Sequence, residues 1–180
     1  VGDDGVEAEL GRLEDALTAT RAQIREMQAK VLDDLGAEHA AIFEAHVLVL
    51  EDSTVLSQVN DLIRGEKVCA DHAFWSVMSH YIETLRSIDD QYLSERVVDI
   101  QDVSRRVLAN LDGREPGSGS ESQQGQPSEP YILGAQDLTP SDTAMLDRKM
   151  VLGFLTEAGS TTSHTAIMAR SLQSLSLIHI

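Results

Sequence analysis

Gly159-Ser-Thr-Thr-Ser-His164-Thr-Ala166 gathers one imidazole, a run of hydroxyl side chains and a leading glycine into one short stretch. It follows the apolar run Met150-Val-Leu-Gly-Phe-Leu-Thr156 and leads into helical spacing at Ala166, Ile167 and Leu172. His164 is therefore expected at the start of a helix, behind a strand and a small-residue turn. Free backbone N–H groups and the helix dipole at such a position favour an anion. The hydroxyls of Thr161, Thr162, Ser163 and Thr165 add donors. The same positive end favours the neutral imidazole, which keeps a nitrogen lone pair available. A neutral, nucleophilic histidine beside an anion-binding nest is the equipment of a phosphohistidine carrier. The spacing by itself fits more readily a Ser/Thr-rich helix cap with an incidental histidine.

The elements that must position this stretch are legible around it. Tyr131-Ile-Leu-Gly-Ala135 is a short strand candidate, and Pro140 to Asp147 reads as a short helix with Thr139 as cap and Pro140 at its first position. Met150 to Thr156 reads as a second strand, Gly159 to Thr162 as a turn and Ser163 to Leu172 as a helix. Strand, helix, strand, helix is a piece of an α/β unit, with sheet edges left open. Upstream, Asp112 to Pro130 is almost entirely Gly, Ser, Gln, Glu and Pro, the composition of a flexible connection.

The first part of the chain has helical periodicity throughout. Leu10, Leu13, Leu17, Ile24, Met27 and Val31 form a seam between Val6 and Leu35, with Thr20 in its one polar slot and Gly36 as the stop. A second helix is expected from Ala37 to Leu50, continued from a Ser53 cap through Val55 to Ile63 and ended by Gly65. A third runs from Ala70 to Ile88, Asp89-Asp90 breaks it, and a fourth runs from Gln91 to Leu111. Short connections predict antiparallel hairpins in a bundle. The expected fold is mostly α: a helical part over 1–111, a linker over 112–130, a partial α/β part over 131–173 and a tail over 174–180.

Composition narrows the partners. With 14 Lys+Arg against 30 Asp+Glu the formal net charge is −16, which repels nucleic acid and anionic lipid and suits a protein with a basic face. No apolar run is long enough for a membrane span. Cys69 is the one cysteine, so no internal disulfide forms and a reduced, cytoplasmic setting is expected; it reads as a small core residue. His39, His72 and His80 share no metal-ligand spacing, and no metal site is expected. His46 lies on an apolar helix face, where a histidine is usually buried and satisfied.

Val151-Leu-Gly-Phe-Leu-Thr-Glu-Ala-Gly159 with Thr162-Ser-His-Thr-Ala-Ile-Met-Ala-Arg170 closely resembles the active-site region of the enzyme I family, the phosphoenolpyruvate-protein phosphotransferases of bacterial sugar uptake. Asp137-Leu-Thr-Pro-Ser-Asp-Thr143 with Leu146-Asp-Arg-Lys149 is similar to the segment just upstream in that family. Ala40-Ala-Ile-Phe-Glu-Ala-His46, Glu51-Asp52, Tyr92-Leu-Ser-Glu-Arg96, Asp99-Ile-Gln-Asp102 and Arg105-Arg-Val-Leu108 look like its helical subdomain. The matches run in family order from about residue 7 to 173.

The resemblance implies that His164 accepts phosphate from phosphoenolpyruvate and passes it to the carrier protein HPr. It implies an orienting hydroxyl at Thr143, and Gly159, Thr162, Ser163 and Thr165 would line the phosphate nest. It also implies that the helical part docks HPr, through positions matching Glu38, His46, Leu48, Val49, Val55 and Arg96. Leu48 and Val49 sit beside the core stripe, so at least one is expected to face outward. Mg²⁺ and phosphoenolpyruvate would belong to a further C-terminal domain of the family, leaving this piece without a cofactor of its own and monomeric.

Three departures stand out. Ser160 and Thr161 replace a glycine and often an arginine before the Thr-Ser-His. The chain starts inside the family's first long helix, without the strand that precedes it. Leu175-Ser-Leu-Ile-His-Ile180 does not resemble the family's continuation and reads like a translated sequencing-library adapter, so these residues are expected to be foreign and His179 to carry no function. Competing readings are a non-catalytic helical module that docks HPr, and a related phosphohistidine domain. The latter could be a nitrogen-branch enzyme I, a dihydroxyacetone-kinase phosphotransfer subunit or a dikinase, the helical insertion speaking against the last.

Overall fold

A computed structural model describes residues 1–88, 90–114, 129–136, 138–147, 149–157 and 175–178. Its elements are the helices α1 (Asp3–Leu35), α2 (Ala37–Ala40), α3 (Ile42–Leu50), α4 (Ser53–Glu66), α5 (Ala70–Arg86), α6 (Gln91–Leu111) and α7 (Pro140–Met145). Three strands complete it: β1 (Tyr131–Ala135), β2 (Val151–Thr156) and β3 (Leu175–Ile178). Contacts divide the chain into two compact units, Val1–Arg25 with Glu44–Pro116, and Glu26–Phe43 with Gly117–Ile180. The stretch Glu26–Phe43, assigned from sequence to the helical part, thus groups with the α/β residues. Among those it supplies Lys30, whose Nζ donates to Ala144 O at 2.8 Å.

In the first unit the predicted stripes are the core. Leu13 and Ile24 of the α1 seam are buried, as are Val59, Ile63, Phe74 and Val107 on the facing helices. Each such side chain contributes roughly 1.5–3 kcal/mol of apolar burial. α4 packs on α5 and α5 on α6. The polar slot at Thr20 is fully buried and satisfied. Asn110 Nδ2 donates to Thr20 Oγ1 at 2.8 Å, and the Asn110 and Gln23 amides pair reciprocally at 3.1 Å. A polar residue in a seam is tolerated when a neighbouring helix supplies its partner.

Helix ends differ from expectation in three places. α4 is capped by Asp52, one residue before the predicted Ser53: the carboxylate accepts from Thr54 N–H at 2.8 Å and Val55 N–H at 3.0 Å. A carboxylate both fills the orphan donors and complements the dipole, which a hydroxyl does not. Gly65 lies inside α4, and the left-handed residue that ends it is Lys67, at φ 54°. Ala41 interrupts the predicted second helix, dividing it into α2 and α3. Gly36 does stop α1, at φ 90°, where a side chain would strain the backbone.

α5 starts at a cap, Cys69, that forms no side-chain hydrogen bond and is half-buried. Glu9 of α1 does the capping instead: its Oε2 accepts from Ala70 N–H at 2.7 Å. Arg12 grips the same carboxylate at 2.8 Å, reaches Asp71 at 3.0 Å and donates to Leu111 O at 3.0 Å, tying α1 to α5 and α6. Burial pushes the Glu9 carboxyl up, but the Ala70 hydrogen bond and the Arg12 guanidinium outweigh it and hold the carboxyl below the ordinary glutamate value. Its contribution is therefore complete above about pH 4.3, the unfolded value, and is lost as pH falls through the lower folded value. Glu9→Gln should cost about 1–2 kcal/mol at neutral pH, the range for a cap and a charged hydrogen bond. In thermal melts the gap between wild type and variant should close below about pH 4; a gap unchanged down to pH 3 would contradict the capping role.

In the second unit the strands pair in parallel, in the order β1-β2-β3. β1 and β2 are joined across α7, the helical crossover that a parallel pair needs. Leu175–Ile178, within the tail read as foreign, forms β3 alongside Gly153–Thr156 of β2. Backbone pairing at an open edge is indifferent to sequence, so a short apolar segment suffices.

Candidate functional site

α7 is the best-built part of the site that the described residues contain. Thr139 and Asp142 form a capping box: Thr139 Oγ1 accepts from Asp142 N–H at 3.2 Å, and Asp142 Oδ2 accepts from Thr139 N–H at 3.0 Å. Pro140 at the first position needs no partner for an N–H it lacks. At the other end the Lys30 ammonium meets the Ala144 carbonyl, a cation at the negative end of the helix. Both ends of this six-residue helix are thereby held, which a helix so short needs.

Thr143 sits between these anchors and is buried. Its Oγ1 lies 2.9 Å from Pro140 O and 3.2 Å from Thr139 O, so its proton is donated to the backbone one turn back. A hydroxyl has one proton and two lone pairs. With the proton engaged, what Thr143 offers a further group is an acceptor. Gly159, Thr162, Ser163, His164 and Thr165 lie outside the described residues. β2, which ends at Thr156, leads the chain toward them, and Glu157 N–H closes back on Ala135 O of β1 at 3.3 Å.

The six docking positions divide sharply. Leu48 is 71% exposed, and Val49 beside it is half-buried, as the stripe required. Glu44 lies one helical turn before Leu48, and Glu51 and Asp52 follow the end of α3; all three are exposed. Glu51 is paired with Arg21 at 3.0 Å, and Asp52 is the α4 cap. An aliphatic side chain among carboxylates results. Glu38, in the first turn of α2, is exposed and belongs to the other unit.

Arg96 is half-buried on α6, and its NH1 donates to Asp99 Oδ2 at 3.1 Å. The other Asp99 oxygen is 3.7 Å from Nε2 of His46. His46 itself is completely buried and Val55 is 5% exposed, so neither presents a side chain to a partner. The docking expectation is corrected at these two positions. Phe43, His46, Val47 and Leu50 form the inward side of α3, and Val55, Val59 and Ile63 that of α4.

His72 and His80 are exposed and His39 is half-buried, with no shared centre among them. Among the described residues no group of three or more His, Cys, Asp or Glu side chains is arranged to hold a metal ion. No described helix is long and apolar enough to cross a membrane. Sequence reasoning overlooked Trp75, 57% exposed on α5, although a lone tryptophan beside the buried Phe74 breaks the stripe visibly.

Comparison with known proteins gives a consistent set of relatives. The family described as PEP-utilising enzyme, N-terminal, matches residues 1–96, and PEP-utilising enzyme, mobile domain, matches residues 127–174. A phosphoenolpyruvate-protein phosphotransferase of Priestia megaterium is 44% identical over 168 residues, and that of Bacillus subtilis strain 168 is 41% identical over 167. Both matches take 93% of this chain and 28% of the relative, so the chain spans little more than a quarter of these proteins. A solution structure titled Enzyme I (nEIt) superposes with a TM-score of 0.78 at 39% identity, covering 99% of this chain and 70% of that one. The N-terminal domain of Enzyme 1 – Nitrogen shares the fold, with a TM-score of 0.64 at 24% identity.

Proposed function

The chain belongs to the PEP-utilising enzyme family, and on that premise we propose that it is the relay part of a phosphoenolpyruvate-protein phosphotransferase, receiving phosphate on His164 and handing it to HPr. The observation that carries this reading is the co-occurrence of both family patterns in one chain, the second of them spanning His164 and Thr143.

The chemistry is an in-line exchange. A ring nitrogen of His164 attacks phosphorus, the bond from phosphorus to its donor breaks, and the phosphoryl group moves without a free intermediate. With phospho-HPr as donor, one P–N bond replaces another, so the step is near balance and reversible. The amides and hydroxyls of Gly159, Thr162, Ser163 and Thr165 supply donors for the equatorial oxygens. Thr143 acts as a positioning residue: its hydroxyl, already donating to the backbone, accepts the ring N–H and leaves the other nitrogen as nucleophile. Phosphoenolpyruvate and Mg²⁺ are used by parts of the family's chain beyond the matched segment, and the setting is cytoplasmic.

HPr docks on the acidic, aliphatic face around Leu48, with Arg96 held in place by Asp99. Exposed apolar side chains rimmed by one sign of charge give an interface its affinity and its encounter rate. Leu48→Ala should leave the melting temperature within about 1–2 °C of wild type, as an exposed substitution does. It should weaken HPr at least about tenfold in calorimetry, the range for a central interface side chain. Unchanged affinity would remove Leu48 and its face from the docking surface.

A further inference from the structure

Trp75 is the chain's sole tryptophan, and its exposure places a large apolar surface in water. It opens onto a groove of 290 Å³ between α5 and α6, floored by Met78, Ile82 and Leu108. Arg86 of α5 and Arg105 of α6 stand on its two walls, and Glu83 is the one carboxylate that lines it. Among the described residues neither guanidinium is engaged in an ion pair or hydrogen bond. In a chain of net charge −16 this is a locally basic, apolar strip. His72, its ring centroid 6.4 Å from that of Trp75, packs beside the indole at one end.

Size and charge select the occupant. The groove is at the lower edge of the roughly 300–1,000 Å³ of enclosed ligand pockets and is open to solvent rather than enclosed. From Trp75 to Arg86 it follows α5 for about 16 Å, three helical turns. That suits side chains of a passing segment better than a whole small molecule. An anionic lipid surface is repelled by the rest of the molecule. Arg105 lies nine positions beyond Arg96, roughly two and a half turns, so the groove is on the opposite side of α6 from that arginine.

We propose that this groove docks an acidic, amphipathic protein segment, about three turns of helix. The segment's apolar stripe lies on Trp75, Met78 and Leu108, and its carboxylates meet Arg86 and Arg105. Tryptophan and arginine are the residues that most often dominate binding energy, and the planar guanidinium matches a carboxylate pairwise. The site is independent of His164 and of the Leu48 face.

Trp75 emission reads the groove directly. The probe is a synthetic helix of about 14 residues, with leucine on one stripe, glutamate on the flanks and no aromatic residue. Titration into the full chain at low salt should shift the emission to the blue and saturate. Arg86→Glu with Arg105→Glu, both exposed and thus compatible with folding, should weaken binding at least about tenfold while leaving the melting temperature unchanged. The same peptide with lysine in place of glutamate should fail to bind. Equal binding by the lysine peptide, undiminished binding by the double variant, or no emission change would overturn the proposal. So would a blue shift that needs no peptide and follows dimer formation in sedimentation, since a second copy would then be the occupant.

Discussion

His164→Ala should abolish the chain's acceptance of phosphate from phospho-HPr, lowering the transfer rate at least about a thousandfold, to the floor of a rapid-quench assay. The reason is chemical. No other side chain in that stretch carries a lone pair able to form a P–N bond; the surrounding hydroxyls are donors to phosphate oxygens. The docking face proposed above does not include His164, so calorimetry with HPr should give the same affinity for wild type and variant. That split, transfer lost and binding kept, separates the relay from a helical module that merely docks HPr. Transfer persisting in His164→Ala would assign the chemistry elsewhere.

The second large effect is structural. Phe43 is completely buried, and replacing it with alanine removes most of a ring from a packed interior. Such substitutions cost about 3–5 kcal/mol, a fall in melting temperature of roughly 6–20 °C for a chain of this size. The consequence reaches the surface. Phe43, His46, Val47 and Leu50 are the inward side of α3, and their packing is what turns Leu48 outward. Phe43→Ala should therefore weaken HPr binding as well, whereas Leu48→Ala weakens binding with stability retained. A Phe43→Ala protein that melts within about 3 °C of wild type would show that α3 is not held by this side chain.

What the sequence shows and what it hides follow physical lines. The helical stripes, the α6 limits, the α7 cap with Thr139 and Pro140, and β1 and β2 were all legible, because 3.6-residue and two-residue periodicity and capping chemistry are local. Helix ends were less so: Asp52 and Ser53 are both good caps, and only the fold decides which carbon chain meets the orphan N–H groups. Glu9 at the α5 start was invisible, being separated from Ala70 by 61 positions. Thr20 was readable as a polar slot, but its partner Asn110 lies 90 positions away. His46 and Val55 went astray for a different reason. Position matching to a family says where a residue sits in a chain, while the stripe says which way it points, and here the stripe was right. The His164 nest was legible in residue types and order, and its side-chain geometry lies outside the described residues.

The most direct measurement is localisation of the transferred phosphate. The chain has six histidines, at 39, 46, 72, 80, 164 and 179. After incubation with phospho-HPr, digestion at alkaline pH and fragment mass spectrometry should find a single acid-labile phosphate, on His164. Phosphate on any of the other five, or none on a chain that still binds HPr, would contradict the relay.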